Sequence, residues 1–495
     1  MSTESLEKLN KMRSYGGEVK SPGLSDAVIM DFAATHPKLV EAIDEAYAHH
    51  ERLQQEYPED LALDEKVLVE RVQEGFLNFY SPAAVNPYVA LCARGPWIVT
   101  SHGAVLHDSG GYGMLGNGHG PAEVLESMAR NWVMANIMTP SFSHKRFMGL
   151  LQKEIGHNRA DGFPFDKIVC LNSGSESVTV AARICDINAK VMTDAGGRHE
   201  GKIIKMMSMV GAFHGRTDRP AQISHNSLKT YQNNMATFRD RDNLITVQPG
   251  DIEGIKAAFE QADKDNVFIE AVFIEPVMGE GVPGRALQRD FYDTARKLTR
   301  DHGSMLIIDS IQAGFRGTGC LSLTDYPGFE DSDAPDMETY SKALNAGQYP
   351  LSVLAMGPDA SKHLVRGVYG NTMTTNPRAL EVGAAVLEQM TDDVRTNIEE
   401  RGVEFVEKLK VLAKEFPGAI THVEGTGLLL CAELDPEKLP VVGFDGIETY
   451  CRKHGVGVIH GGQNALRFTP HFRITSGEID IVINVIRDGL NLLWK

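Results

Sequence analysis

Between about residue 125 and residue 375, short apolar runs alternate with stretches of helical period, and this alternation limits the fold more than any other feature. The runs at 168–171, 203–210, 271–275, 305–309 and 351–356 read as strands without a polar face. The stretches 176–190, 252–262 and 287–301 between them read as helices, the last stopped by Gly303. Strands alternating with helices imply an α/β fold: a mostly parallel sheet with helices on both faces. Residues 1–90 are charged and helical in pattern, over 37–53 and 61–79, with Pro58 and Pro82 as breaks. The stretch 89–105 is strand-like, turning at Gly95, Pro96 and Gly103. From about 378 a helical segment runs to Glu415, and a smaller α+β unit follows, with strands expected at 427–434, 457–460 and 466–469. The expected organisation is an N-terminal helical arm (1–90), a large domain (91–375) and a small C-terminal α+β domain (376–495).

A net charge of −17 argues against a nucleic-acid-binding surface, which needs clustered Lys and Arg. The six cysteines are scattered without a C-x-x-C pair, and several lie in apolar runs such as Ile168-Val169-Cys170-Leu171. That suits reduced, buried thiols rather than disulfides or zinc. The 17 histidines show no ligand spacing, so no metal site is expected. The N-terminus lacks the apolar core of a secretory signal, and no apolar run approaches the roughly 18 residues of a membrane span, so a cytoplasmic protein without membrane contact is expected.

The chemistry is concentrated at expected strand ends. Ile307-Ile308-Asp309-Ser310-Ile311-Gln312 delivers one carboxylate to the open end of a buried strand. Tyr340-Ser341-Lys342-Ala343-Leu344 places a lone lysine in a polar turn before the next apolar run. An amine that can condense with an aldehyde and an acid that keeps a pyridine nitrogen protonated are what an enzyme needs to hold pyridoxal phosphate. Asn172-Ser173-Gly174-Ser175-Glu176 is a small-residue turn opening a helix, suited to a phosphate or simply to an N-cap. Gly211-Ala212-Phe213-His214-Gly215-Arg216-Thr217 follows a strand, where open α/β sheets put ligands. There Phe213 could stack on a planar ring and Arg216 could fork onto a carboxylate, and the bland alternative is a structural loop. Glu275-Pro276-Val277-Met278-Gly279-Glu280-Gly281 offers two acids, a pair that elsewhere would suggest glycosidase chemistry. Gly111-Tyr112-Gly113-Met114-Leu115-Gly116 matches G-x-G-x-x-G but lacks the later ribose acid, so it reads as a glycine-rich active-site loop.

Together these blocks resemble the class III pyridoxal-phosphate-dependent aminotransferases, nearest the ornithine and acetylornithine branch, from about Gly95 to the C-terminus. The ordered set N-S-G-S-E, F-H-G-R-T, E-P-V-M-G-E-G, I-D-S-I-Q-A-G-F, Y-S-K-A-L and N-T-M-T-T-N-P carries the resemblance. It implies the fold-type I architecture: a large domain with a mostly parallel, seven-stranded-type sheet between helices, plus a smaller α+β domain. It implies that Lys342 attaches the cofactor, Asp309 pairs with its ring nitrogen and Gln312 bonds its ring hydroxyl. Phe213 would stack on the ring beside His214, and Ser173, Gly174 and Ser175 would seat the phosphate. Thr372 would reach the phosphate of a neighbouring subunit, making the active site shared within a homodimer. Tyr112 and Arg216 would face the substrate. Glu280 matches an acid that pairs with a small-domain arginine in ornithine-type enzymes, and Arg467 matches that arginine.

Three places depart from the family. Ser310 replaces the usual acid, Phe315-Arg316-Gly317 replaces the usual glycine-arginine order, and the first ~90 residues exceed the family's length. The first two are expected to alter the pocket wall. The expected reaction moves the terminal amine of an ω-amino acid such as ornithine, acetylornithine, lysine or 4-aminobutyrate to a 2-oxo acid such as 2-oxoglutarate. The rivals are a pyridoxal phosphate lyase or epimerase on the same scaffold, and a silent binding module.

Overall fold

The computed structural model describes residues 2–495. Fifteen strands occur among them: β1 (Ala90–Arg94), β2 (Trp97–Thr100), β3 (Val105–Asp108), β4 (Lys167–Leu171), β5 (Ile203–Met209), β6 (Leu244–Val247), β7 (Val267–Ile274), β8 (Met305–Asp309), β9 (Met337–Tyr340), β10 (Ser352–Met356), β11 (Ile420–Thr426), β12 (Leu429–Leu434), β13 (Val456–Gly457), β14 (Ile459–Gly461) and β15 (Ala465–Phe468). The chain divides into two compact units. One comprises residues up to Ala122 with Glu400–Glu424 and Leu430–Lys495, the other Glu123–Glu399 with Gly425–Leu429.

The second unit is built on a seven-stranded sheet of order β4-β10-β9-β8-β7-β5-β6. The pairs β5·β6, β5·β7, β7·β8 and β8·β9 are parallel, and β10 runs antiparallel to both β9 and β4. All eight residues of β7 are buried, because alternate side chains enter two different cores. Val272 and Ile274 join Leu306, Ile308, Met207 and Met209 on one face. Ala271 and Phe273 join Met305, Ile307, Met206 and Leu354 on the other. Helices Ile252–Lys264 and Arg289–His302 supply Phe259, Phe291 and Tyr292 to the first core, and Gly174–Thr193 supplies Val178, Ala181 and Ile184 to the second. This is the α/β architecture the alternation implies. The helix Arg289–His302 stops at Gly303, whose φ of 72° is open to glycine at little cost. Two strands of this sheet lie outside the expected set: β6 is short and only partly buried, and β9 carries Glu338 and Thr339 inside a strand.

In the first unit, two four-stranded sheets have the orders β1-β2-β3-β13 and β11-β12-β15-β14. The helix expected over 61–79 is confined to Glu65–Val72, and Phe76, Leu77 and Phe79 are exposed beyond it. Their side chains have no face to pack against, so period alone does not extend the helix. The long helix expected from 378 is two, Pro377–Glu388 and Asp392–Glu415. Among the described residues no helix is long and apolar enough to cross a membrane.

Candidate active site

Asp309 is the last residue of β8 and is 4% exposed. Its Oδ2 lies 2.8 Å from His214 Nδ1, and its Oδ1 accepts from Ile311 N and Thr339 Oγ1, each at 3.2 Å. The next parallel strand, β9, ends at Tyr340, and the chain turns through a 3-10 turn, Lys342–Asn345, before β10. Lys342 has φ +48° and Ala346 φ +50°, left-handed backbone that ordinary residues adopt only when their surroundings enforce it. The enforcement is visible: Ser341 Oγ and Asn345 Nδ2 both donate to the carbonyl of Leu351, at 2.9 and 2.8 Å. The turn aims Lys342 Nζ at Gln312 Oε1, to which it donates. Asp309, His214, Gln312 and Lys342 are thus brought to the carboxyl ends of β5, β8 and β9 in one sheet, where open α/β sheets bind ligands.

Burial by itself lowers the pKa of His214, but the hydrogen bond and charge of Asp309 outweigh it, and the net direction is up. The imidazole is therefore held closer to its cationic form than an ordinary histidine, and Asp309 has a fixed partner. Glu275, just beyond β7, receives N–H from Phe213 at 3.1 Å and from Gly279 at 2.8 Å. Burial pushes its pKa up to about 7, with His214 pulling it down and Asp309 pushing it further up. Its two bonds join the 213–216 loop to the 276–281 turn. In that loop Arg216 is exposed and lies over the Phe213 ring, 5.3 Å from its centroid.

Ser173 is the N-cap of helix Gly174–Thr193 and accepts from Glu176 N at 3.3 Å, so the bland role of this serine is fulfilled. Gly174 and Ser175 occupy the first helical positions, whose N–H groups have no carbonyl to reach within the helix. A Cβ at Gly174 would stand 2.7 Å from Ile311 Cδ1, and one at Gly215 would stand 2.4 Å from Ser175 Oγ. The helix start, the residues after Asp309 and the His214 loop therefore pack too closely for larger side chains. Thr372 is not among the side chains joined by these bonds. It lines a cavity of about 680 Å³ with Ile137, Met138, Phe147, Tyr369 and Asn371. Glu280 is half-buried in the turn after β7. Tyr112 and Arg467 belong to the other unit: Tyr112 has φ +50°, and Arg467 is a buried residue of β15 opposite Cys431 and Ile459.

Ser310 and the Phe315-Arg316 pair do not alter a pocket wall, contrary to expectation. All three are fully buried. Ser310 donates to Glu338 Oε1 at 2.5 Å, and Arg316 Nη1 donates to the carbonyl of Leu428. Glu338 also accepts from Ser322 Oγ at 2.6 Å and Leu323 N at 2.9 Å, so a buried acid on β9 stands beside the serine that follows β8. Sequence reasoning missed Glu338 and Thr339, since an acid inside a strand gives no periodic signal. It also missed Glu176, which accepts from Asn172 N (2.7 Å), Tyr369 Oη (2.8 Å) and Asn371 Nδ2 (2.7 Å). The Ser173-x-x-Glu176 spacing of a capping box could have singled it out.

The donor set suits pyridoxal phosphate. The Nε2 atoms of Gln312 and His214 are buried and without hydrogen-bond partners, and the first leaves a donor beside Lys342 for a ring oxygen. Asp309 offers a carboxylate for a ring nitrogen, Lys342 an amine for an aldehyde, and the start of helix Gly174–Thr193 two N–H groups for a phosphate. Comparison with known proteins agrees. The chain is 27% identical over 424 residues to the acetylornithine aminotransferase of Mesorhizobium japonicum, covering 83% of this chain and 95% of that one. It is 28% identical over 407 residues to ornithine aminotransferase 2 of Staphylococcus aureus, covering 81% and 93%. Among solved structures it shares the fold of the Toxoplasma gondii ornithine aminotransferase (TM-score 0.74, 21% identity, 89% and 97% covered). It likewise shares the fold of an S-selective transaminase from Bacillus megaterium (TM-score 0.70, 18% identity, 86% and 98% covered). The sequence model for aminotransferase class-III matches residues 80–490, and the chain belongs to that family of pyridoxal-phosphate enzymes.

Proposed function

We propose that this aminotransferase takes the terminal amine of an ω-amino acid, of the ornithine, acetylornithine, lysine or 4-aminobutyrate kind, and passes it to a 2-oxo acid such as 2-oxoglutarate. The observation that carries the reading is the likeness to acetylornithine and ornithine aminotransferases over more than four-fifths of the chain. When bound, pyridoxal phosphate supplies an electron-withdrawing ring that takes up the charge left as a carbon bearing an amine loses its proton. Lys342 would attach the cofactor through Nζ and, once displaced by the substrate amine, move the proton as general base and acid. Asp309 would hold the proton on the ring nitrogen, and His214 keeps that carboxylate oriented. Phe213 would cover the ring, Gln312 Nε2 would donate to its oxygen, and Ser173, Gly174 and Ser175 would seat the phosphate. Tyr112, Arg216, Glu280 and Arg467 are assigned to the substrate.

The working unit is proposed to be a homodimer in which Thr372 serves the neighbouring subunit's phosphate. Ile137, Met138 and Met373 are exposed on or beside the cavity that Thr372 lines, an apolar surface that a second copy would cover. The six cysteines are free, which supports the cytoplasm as the compartment. The burial of Ser310 against Glu338 supports the transaminase over a lyase or epimerase, since the serine bonds to another side chain. The deciding experiment is a screen of amino donors against 2-oxoglutarate and pyruvate, with and without the oxo acid. A transaminase stops after one half-reaction when the oxo acid is left out, and sustained turnover without it would reject the reading.

A further inference from the structure

Three side chains far apart in sequence converge in the first unit, outside every residue assigned above. His107 on β3, His471 in the segment after β15 and Glu478 in the first turn of helix Ser476–Leu493 bring one ligand atom each within 4.8 Å of one another. His107 and Glu478 are fully buried and His471 is half-buried. His107 Nε2 stands 3.5 Å from Glu478 Oε1, and His471 Nε2 stands 3.3 Å from the same oxygen. We propose that His107, His471 and Glu478 bind a divalent transition-metal ion, zinc by preference, as a structural site.

The spacing carries the argument. A charge-assisted N–H···O bond usually closes to about 2.7–2.9 Å, and both imidazoles stand farther than that from Glu478 Oε1, His471 at 3.3 Å in a long hydrogen bond and His107 at 3.5 Å. With metal–nitrogen and metal–oxygen distances near 2.0–2.2 Å, the edge of a tetrahedron is about 3.4 Å, which the two separations match. The atoms that would face the ion are also set in advance. His107 Nδ1 lies 3.1 Å from Ser109 Oγ, which leaves Nε2 to point inward, and that Nε2 is buried without a hydrogen-bond partner. Glu478 Oε2 accepts from Thr475 N at 2.7 Å, so its Oε1 is the oxygen turned to the imidazoles. Such outer bonds orient the ligands of known metal sites. Two imidazoles and one carboxylate suit zinc, whose fourth position would take a water from the side where the His471 side chain keeps its 13% exposure. The Trp97 ring packs edge-on against His107, with ring centroids 5.3 Å apart. The ion would therefore join β3, the segment after β15 and the C-terminal helix.

The test uses the full-length holoenzyme. After dialysis against metal-free buffer, the expected result with zinc ion alone is one equivalent bound per chain and a rise in the thermal midpoint that a chelator reverses. Cobalt(II) in place of zinc is expected to give the visible absorption of a four-coordinate site. His471→Gln is expected to lose binding, midpoint shift and cobalt spectrum, while its cofactor absorbance and turnover stay within about twofold of the parent protein. Binding that persists unchanged in His471→Gln overturns the assignment, because the ion then sits elsewhere. Absence of zinc uptake and of the cobalt spectrum in the parent protein also overturns it, leaving a buried ion triad only. Should His471→Gln fail to fold, the cobalt titration of the parent protein decides alone.

Discussion

The carboxylate of Asp309 meets the imidazole of His214 at 2.8 Å, whereas that of Glu478 stands 3.3 and 3.5 Å from two imidazoles. Both clusters are buried, yet the first closes to a short bond, while the second holds one long hydrogen bond and one wider contact on the same oxygen. At the strand ends of the second unit the polar atoms left over, Nε2 of Gln312 and of His214, lie around a lysine and face organic chemistry. In the His107 cluster of the first unit an imidazole nitrogen is left over, among other metal-type donors. The difference teaches that the neighbours of an orphaned atom, more than burial or the atom itself, tell which partner a cluster is built to take.

The comparison breaks most readily at Lys342. Lys342→Ala would remove the proposed attachment point and proton carrier together, so turnover is expected to fall by at least about 10³-fold. Steady-state rates measure this, and borohydride reduction followed by peptide mapping should place the label on Lys342. A label on another lysine would end the assignment. Asp309→Asn is next. It keeps the shape but removes the charge that His214 orients, and the rate is expected to fall roughly 10²-fold with the cofactor still bound. If activity falls only in step with the melting temperature, Asp309 is a structural acid.

Most of the second unit was legible because its signals are local. An apolar run ending in Asp309, a lysine in the turn before the next run and a small-residue helix start are each readable within six residues. Burial on both faces of β7 follows from its continuous apolar run. What escaped was long-range or unpatterned. Glu338 sits on β9, a strand too polar to read as one, and its bond to Ser310 depends on two strands lying side by side. The pairing of Ser310 with an acid could not be seen from position 310 alone. The compact units are assembled from segments widely separated in sequence. His107, His471 and Glu478 accordingly have no motif spacing, and 17 histidines read along the chain gave no reason to choose two. Residues 61–79 failed differently: helical period was present, but only Glu65–Val72 found a face to bury.

A smaller effect is expected at Gly215, where the His214 loop presses on the start of helix Gly174–Thr193. Its φ is +116°, and an added methyl would meet Ser175 Oγ at 2.4 Å. Gly215→Ala is expected to cost about 1–3 kcal/mol of unfolding free energy, and to weaken cofactor retention, since Ser175 must move. Denaturant unfolding and cofactor titration measure the two losses, and an unshifted midpoint would show that the loop relaxes freely.

The smallest effect, and the most specific, concerns pH. Burial pushes Glu338 up to about 7, against the lowering influence of its bonds from Ser310, Ser322 and Leu323. A carboxyl whose pKa is higher folded than unfolded lends stability that is complete below the unfolded value and is lost as pH rises through the folded one. The window here runs from about 4.5 to somewhat above 7. Glu338→Gln copies the protonated acid and cannot ionise, so it should remove this share of the pH dependence. Glu275 and His214 are also raised and lose stability in the same direction, but they do so equally in both proteins. The difference between parent and variant between pH 5.5 and 8 therefore isolates Glu338. The parent is expected to lose on the order of 1–3 kcal/mol more than the variant over that range. Denaturant unfolding at a series of pH values measures it. Parallel curves would mean that the three donors around Glu338 hold it ionised, and that Ser310 then faces a charge rather than a neutral acid.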